Sequence, residues 1–293
     1  MRRDHPLAPI VVAVVAIALL SVMDGTMKGA SLALGAYSAM VWRAVISTAA
    51  TLPLWLSGRT GWPEPPALRV HLLRGVIVAA MAVLFFHSLT LLPIAQAIGI
   101  SFFAPLISLW LAAVLLKEQI ASAAIVASLV GLAGVAVICW PELDGGGGPG
   151  RVEGIAAVLA SALLYALNLV LARRQALLAR PREIAFFQNA VTLVVLAPFA
   201  AWFLREPDGA ALTWVAVSAA LSVTAALLLA WAYARAEAQV LVPMEYSAFG
   251  WAAAVGWLAF GEAVSTTTLV GVALIVAACL VATRRAPPEP VVA

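Results

Sequence analysis

The chain alternates between long apolar runs and short polar breaks. Ten runs stand out, at approximately 8–27, 37–56, 71–91, 95–115, 121–140, 154–172, 183–204, 210–231, 238–260 and 265–283. Each comes close to the roughly 20 apolar residues that an α-helix needs to cross a bilayer core. The breaks are brief: "SGRTGWPEPPALR" after the second run, "PELDGGGGPGR" after the fifth, "RRQALLARPR" after the sixth. None can hold a soluble domain. The pattern predicts an all-α integral membrane protein of ten transmembrane helices.

Composition strengthens this reading. Of 293 residues, 64% are hydrophobic and 11% charged, and the mean hydropathy is +1.05. Soluble domains carry about 25% charged residues, so a soluble globular protein, a disordered chain and a nucleic-acid binder are all excluded. Seventeen Lys and Arg against fourteen Asp and Glu leave a net charge of +3, too small to define an anionic partner. Cys139 and Cys279 lie in apolar runs and read as small hydrophobes. The three histidines, His5, His71 and His87, are scattered and offer no metal-ligand spacing. Arg2 and Arg3 followed by an apolar run resemble a signal peptide, but the run is long and further spans follow at once. It is expected to be a retained first helix.

The placement of the charges orients the chain. With a cytoplasmic N-terminus and ten crossings, thirteen Lys and Arg fall on the cytoplasmic side, three (Lys28, Arg151, Arg205) on the far side, and Arg43 within the second span. This bias puts both termini in the cytoplasm, for a bacterial inner-membrane location.

The chain also matches itself at an offset of about 144 residues. Ala18-Leu19-Leu20 aligns with Ala162-Leu163-Leu164, Asp24 with Asn168, Pro53 with Pro198, Ala95-Gln96 with Ala238-Gln239, Phe102 with Tyr246 and Glu118 with Glu262. This divides the chain into a first five-helix repeat (1–142), a Gly-rich linker (143–153), a second repeat (154–285) and a short cytoplasmic tail (286–293). Five is odd, so the two copies enter the membrane from opposite sides, related by a pseudo-two-fold axis in its plane. Inverted repeats of this kind build secondary transporters, with the solute site near the midplane.

Several motifs carry a family resemblance: "MDGTMK" in span one, Arg43, "LPIAQAIGISFFAPLISLWLAAVLLKE" (92–118) and its counterpart "VLVPMEYSAFGWAAAVGWLAFGE" (240–262). On these the chain resembles the EamA-like ten-helix exporters of the drug/metabolite transporter superfamily, over residues 15–283. The resemblance implies export of amino acids and other metabolites, and a subgroup of that family exports aromatic amino acids. His87 departs from the aromatic hydroxyl residue expected of close relatives there, which leaves the choice of substrate open.

Charges at membrane depth cost about 2.5–3.5 kcal/mol each on insertion scales and need a reason. Asp24 and Lys28 are four apart on one helix and can pair side by side, as a neutralised pair or as a gate or substrate contact. Arg43 has three possible roles: snorkelling to the interface, an ion pair with Asp24, or binding a substrate carboxylate. Glu245 follows Pro243, which loosens the local helix. It reads either as a partner for a substrate ammonium or a proton, or as a buried acid bonded to a neighbouring helix. Gln96, Ser101 and Phe102 in span four, Tyr165 and Asn168 in span six, Tyr246 and Trp251 in span nine, His87 in span three and Trp231 in span eight complete a candidate aromatic-lined cavity. The same aromatics also suit plain helix packing. Pro105 and Pro243 mark expected kinks, and Glu118 and Glu262 are expected to cap helices or face water.

No "GxxxxGK[ST]" phosphate loop occurs, so ATP is not the direct energy source. A solute gradient or protons remain, and Asp24 and Glu245 permit proton coupling. A membrane enzyme would need clustered acids or histidines at one face, and these acids are dispersed. A channel filter usually needs a symmetric ring. A carrier of polyanions should hold several cations, and only Arg43 and Lys28 qualify. The sequence therefore points to an exporter of small neutral or zwitterionic solutes, most simply amino acids including aromatic ones, with drugs or other metabolites as the alternative. The expected partners are that solute and the lipid bilayer, with no cofactor, metal or nucleic acid; the sequence leaves the oligomeric state open and is compatible with a monomer.

Overall fold

The computed structural model describes residues 7–58, 61–116, 122–143, 150–236 and 238–284. Thirteen α-helices and one short 3-10 turn account for them, with no strand among the described residues. In chain order they are α1 (Ala8–Leu34), α2 (Ala36–Gly58), α3 (Pro65–Leu91), α4 (Ile94–Ser101), α5 (Ala104–Leu116), α6 (Ser122–Leu143), α7 (Arg151–Leu178), α8 (Pro181–Leu196), α9 (Ala200–Phe203), α10 (Gly209–Tyr233), α11 (Ala238–Glu245), α12 (Ala248–Phe260) and α13 (Thr266–Arg284).

Six helical stretches are long and apolar enough to cross a membrane: α1, α2, α3, α7, Pro181–Phe203 and α10. Three shorter apolar stretches, Ile94–Ser108, Ile125–Pro141 and Thr266–Val281, accompany them. Their outward faces are apolar, and Trp202 and Val194 leave 76% and 69% of their surfaces uncovered. Ser21, Ser38, Thr51, Ser88, Asn168 and Gln175 are buried inside. Such an arrangement suits a hydrocarbon solvent, in which helices must satisfy their own backbone groups.

Spans four and nine of the sequence reading are each two helices. The first breaks at Phe102–Phe103 and the second at Tyr246–Ser247. The prolines sit on opposite sides of these breaks. Pro105 lies in the first turn of α5, where its missing N–H costs nothing, and Pro243 lies inside α11, just before its end. Span seven is likewise interrupted, by the 3-10 turn Ala197–Phe199 that contains Pro198.

Turn chemistry sets the helix ends. α1 and α2 are joined by Gly35 alone, at φ 80° and ψ 148°, a conformation that costs an L side chain dearly. Prolines open α3 and α8. The Asp208 carboxylate caps α10 by accepting from the Ala211 N–H at 2.7 Å.

Helix packing is reciprocal. α1 lies along α10 as α7 lies along α3, α1 meets α12 as α7 meets α5, and α2 pairs with α8 and α6 with α13. Glycines permit the closest approaches: a Cβ on Gly134 would sit 2.7 Å from the Gly271 carbonyl, and one on Gly29 would sit 2.7 Å from the Trp214 ring. This is close packing through small residues.

The ends of the helices gather into two groups. At one end meet Lys28 of α1, Leu92 after α3, the start of α4, and Glu262 after α12, with Gly154 of α7 against Leu91 and Leu92. At the other, His71 of α3, Gln175 of α7 and Glu183 of α8 are joined, and Ala13 of α1 packs with Ala232 and Leu241.

Candidate functional site

The first of these ends is sealed. Lys28 is only 5% exposed. It does not pair with Asp24, as their spacing on α1 predicts. Its ammonium forms an ion pair with Glu262 and donates to the Leu92 carbonyl at 2.8 Å, with the Phe260 ring centroid 5.3 Å away. The second Glu262 oxygen accepts from the Ile94 N–H at 2.8 Å, so Glu262 caps α4, as expected of it. The local backbone explains the reach. Gly261 ends α12 at φ 67°, and the Glu262 N–H bonds the Gly256 carbonyl at 3.0 Å, turning the side chain back over the helix. A Cβ on Gly256 would lie 2.6 Å from Glu262 Oε2, so any larger residue pushes the carboxylate off its present position. Gln96 is buried nearby and lines a cavity of about 140 Å³ with Pro93, Arg151, Ser265 and Thr268. Glu118 lies outside the described residues.

Deeper in the bundle the polar groups are differently placed. Asp24 and Arg43 sense each other's charge across α1 and α2 without a direct hydrogen bond. The Arg43 guanidinium lies 5.8 Å from the Phe86 ring centroid and 3.8 Å from the Met40 sulfur. Its Nε is buried and has no partner, an arrangement that costs free energy unless a ligand satisfies it.

The break between α11 and α12 supplies a second group. Glu245 accepts a hydrogen bond from Tyr233 at 2.6 Å, and its charge reaches Tyr165 and Tyr246. Tyr246 meets Phe102 edge-on, with centroids 5.2 Å apart and planes at 88°, so the two helix breaks touch. Cys279 approaches the Phe102 carbonyl at 3.5 Å. Ser101 turns back to the Ala97 carbonyl at 2.9 Å.

Tyr165 is 36% exposed although protein packs around it on α7. Beside it, Asn168 accepts from Arg74 Nε at 2.8 Å.

Three candidates stand apart. His87 is half-exposed and bonded to Glu153 at 2.8 Å, because its side of α3 faces the start of α7. Trp231 lies 4.2 Å under the Arg235 guanidinium and beside the cluster of Ala13, Ala232 and Leu241. Trp251 is largely exposed on α12. The residues that sequence reasoning passed over are Arg74, Tyr233 and Phe86. Arg74 falls inside the third apolar run but was counted among the cytoplasmic charges. That position was the available signal. No group of His, Cys, Asp and Glu able to hold a metal occurs among the described residues.

An apolar-surfaced helical body that buries a charged side chain such as Lys28 inside defines a multi-pass membrane protein. Comparison with known proteins makes this specific. The EamA-like transporter family matches residues 7–140 and again 152–284, and the chain belongs to that family. It is 26% identical to a riboflavin transporter of Brucella anthropi, over 83% of this chain and 86% of the relative. An S-adenosylmethionine uptake transporter of Rickettsia felis is also 26% identical, over 72% of this chain and 70% of the relative. The pseudopaline exporter of Pseudomonas aeruginosa is 26% identical over 94% of this chain and 95% of the relative. A solved crystal structure shares the fold at a TM-score of 0.61 and 23% identity, covering 94% of this chain and 96% of its own. The protein is a transporter and not an enzyme.

Proposed function

We propose that the chain is a secondary exporter of small zwitterionic metabolites, amino acids including aromatic ones, working by alternating access. In this reading it crosses a bacterial inner membrane ten times with both termini cytoplasmic, as inverted five-helix repeats at 1–142 and 154–285. The double family match and the reciprocal helix packing support the repeats. So does the contact between Phe102 and Tyr246, since residues equivalent under a two-fold axis can meet only close to it. The distribution of Lys and Arg supports the orientation, which puts the Lys28–Glu262 end outside. The described conformation is then closed outward.

One observation carries the function: a carboxylate held by a tyrosine, Glu245 with Tyr233, sits at the break between two half-span helices and is exposed there. An acid there can meet a substrate ammonium, and the aromatic rings of Phe102, Tyr246 and Tyr165 supply an apolar wall for a side chain. Arg43, with its unpartnered Nε, offers a carboxylate contact. The relatives named for riboflavin, S-adenosylmethionine and pseudopaline move different solutes in both directions. They support efflux of other metabolites or drugs as the second reading.

Purified protein in liposomes should exchange radiolabelled phenylalanine or tryptophan. Uptake no greater than into empty liposomes across a broad amino-acid panel would remove the amino-acid assignment and leave the second reading.

A further inference from the structure

The interior between α3 and α7 contains a hydrogen-bond chain that the reading above does not use. Arg74 Nε donates to Asn168 Oδ1 at 2.8 Å, and Arg74 Nη1 donates to Gln175 Oε1. Gln175 Nε2 stands 2.6 Å from His71 Nδ1, and His71 Nε2 stands 2.8 Å from Glu183 Oε1. Chemistry fixes the direction of every link. A guanidinium only donates, so Gln175 must present its oxygen to Arg74 and its amide N–H to His71. His71 Nδ1 is then the acceptor, and its proton sits on Nε2 and is donated to Glu183. His71 and Gln175 are each 1% exposed, and His71 stacks on Phe187 at 4.8 Å. The chain is thus held in one arrangement.

Its product is a positioned cation. Two edges of the Arg74 guanidinium are occupied, while Nη2 has no partner among the described residues and is not a buried orphan. Arg74 is half-buried and its charge reaches Tyr165. Tyr165 also lies within reach of the charge of Glu245, which Tyr233 of α10 holds by a hydrogen bond of 2.6 Å. A carboxylate-binding N–H and an ammonium-binding carboxylate therefore flank the same tyrosine.

We infer that Arg74 is the cation that receives the carboxylate of the transported solute, with Asn168 and Gln175 as positioning residues that hold its guanidinium and leave Nη2 free. The inference rests on the transport reading for the identity of the solute. It places the anionic end of that zwitterion on Arg74 in preference to Arg43.

Binding is measured without transport, by thermal stabilisation of the detergent-purified chain with phenylalanine, with phenethylamine, which lacks the carboxylate, and with hydrocinnamate, which lacks the ammonium. For the unmodified protein, phenethylamine should bind at least about tenfold more weakly than phenylalanine, the size of one charge-assisted hydrogen bond. Arg74→Gln should bring that ratio close to one. Arg74→Lys, which keeps the charge and tests folding, should restore part of it. Gln175→Leu should weaken phenylalanine and hydrocinnamate several-fold and leave phenethylamine unchanged. A ratio that survives Arg74→Gln, or no stabilisation of the unmodified protein by either carboxylate, overturns the inference. Exchange of phenylalanine in liposomes with no carboxylate dependence would keep the transport reading and sink only this one. Arg74-dependent binding without exchange would do the reverse.

Discussion

The Lys28 end and the Tyr165 interior are both polar regions inside an apolar bundle, yet they are built on opposite principles. Around Lys28 the polar atoms answer one another: the ammonium has Glu262 and the Leu92 carbonyl, and the carboxylate also has the Ile94 N–H. Around Tyr165 the groups are fixed but not exhausted. Glu245 is held by Tyr233 and remains exposed, and Arg74 is held on two edges only. A closed network seals a helix end, whereas a network with free valences, positioned in advance, is how a binding site lowers the cost of capturing a ligand.

The contrast breaks most severely if the seal loses one partner. Lys28→Met leaves Glu262 without its counter-ion and should destabilise the protein by about 3–5 kcal/mol, the usual cost of orphaning a buried charge. Adding Glu262→Met should recover much of that loss, because the pair as a whole gains little over apolar packing. Thermal unfolding of the two variants in one detergent checks both statements. The seal can also be broken without touching a charge. Gly256→Ala puts a methyl group where Glu262 Oε2 now lies, and should cost about 1–3 kcal/mol through overpacking. It should also raise the reactivity of a cysteine placed at Leu92 toward a membrane-impermeant thiol reagent.

How far the sequence could reach differs between the regions for physical reasons. The apolar runs revealed the helices because hydrocarbon demands long uninterrupted stretches. Glu245 stood out because a carboxylate in such a run is costly. Glu262 was expected to cap a helix, and the structure shows which one. Spacing offers Asp24 as one partner for Lys28 because only neighbours within one helix can be seen from it. The true partner of Lys28 lies 234 residues away and is brought there by a turn that needs Gly256 and Gly261. Arg74 was hidden by its nearness to the start of a span, where an arginine ordinarily snorkels. Only the register of α7 against α3, which sets Asn168 and Gln175 beside it, turns it inward. The splitting of two spans was foreshadowed by Pro105 and Pro243. The contact between the two breaks depends on how the halves dock.

A smaller effect sharpens the interior side of the comparison. Tyr233→Phe removes one hydrogen bond to Glu245 and nothing of the ring. It should weaken solute binding by about 0.5–1.5 kcal/mol, or roughly two- to tenfold. The loss should appear in the apparent affinity for ammonium-bearing solutes and spare hydrocinnamate. Equal loss for all three test compounds would mean that Tyr233 supports the bundle and not the Glu245 carboxylate.

The smallest effect comes from the hydrogen-bonded His87–Glu153 pair near the sealed end. His87 and Glu153 are as close as 2.8 Å, but their side chains are 41% and 67% exposed, against 7% and 16% for Lys28 and Glu262. Distance is therefore not what separates the two pairs. An exposed pair gains modest attraction in a high-dielectric setting, holds two side chains in one geometry at an entropic cost, and nets about 0–1 kcal/mol. Glu153→Gln keeps the shape and a hydrogen-bond acceptor for His87 while removing the charge. It should change stability by no more than about 0.5 kcal/mol and leave phenylalanine exchange as it was. Added salt should narrow even this difference, because the pair is open to screening. Were Glu153→Gln to cost as much as Lys28→Met, burial would not be what distinguishes the seal, and His87 would have to be returned to the solute-handling groups.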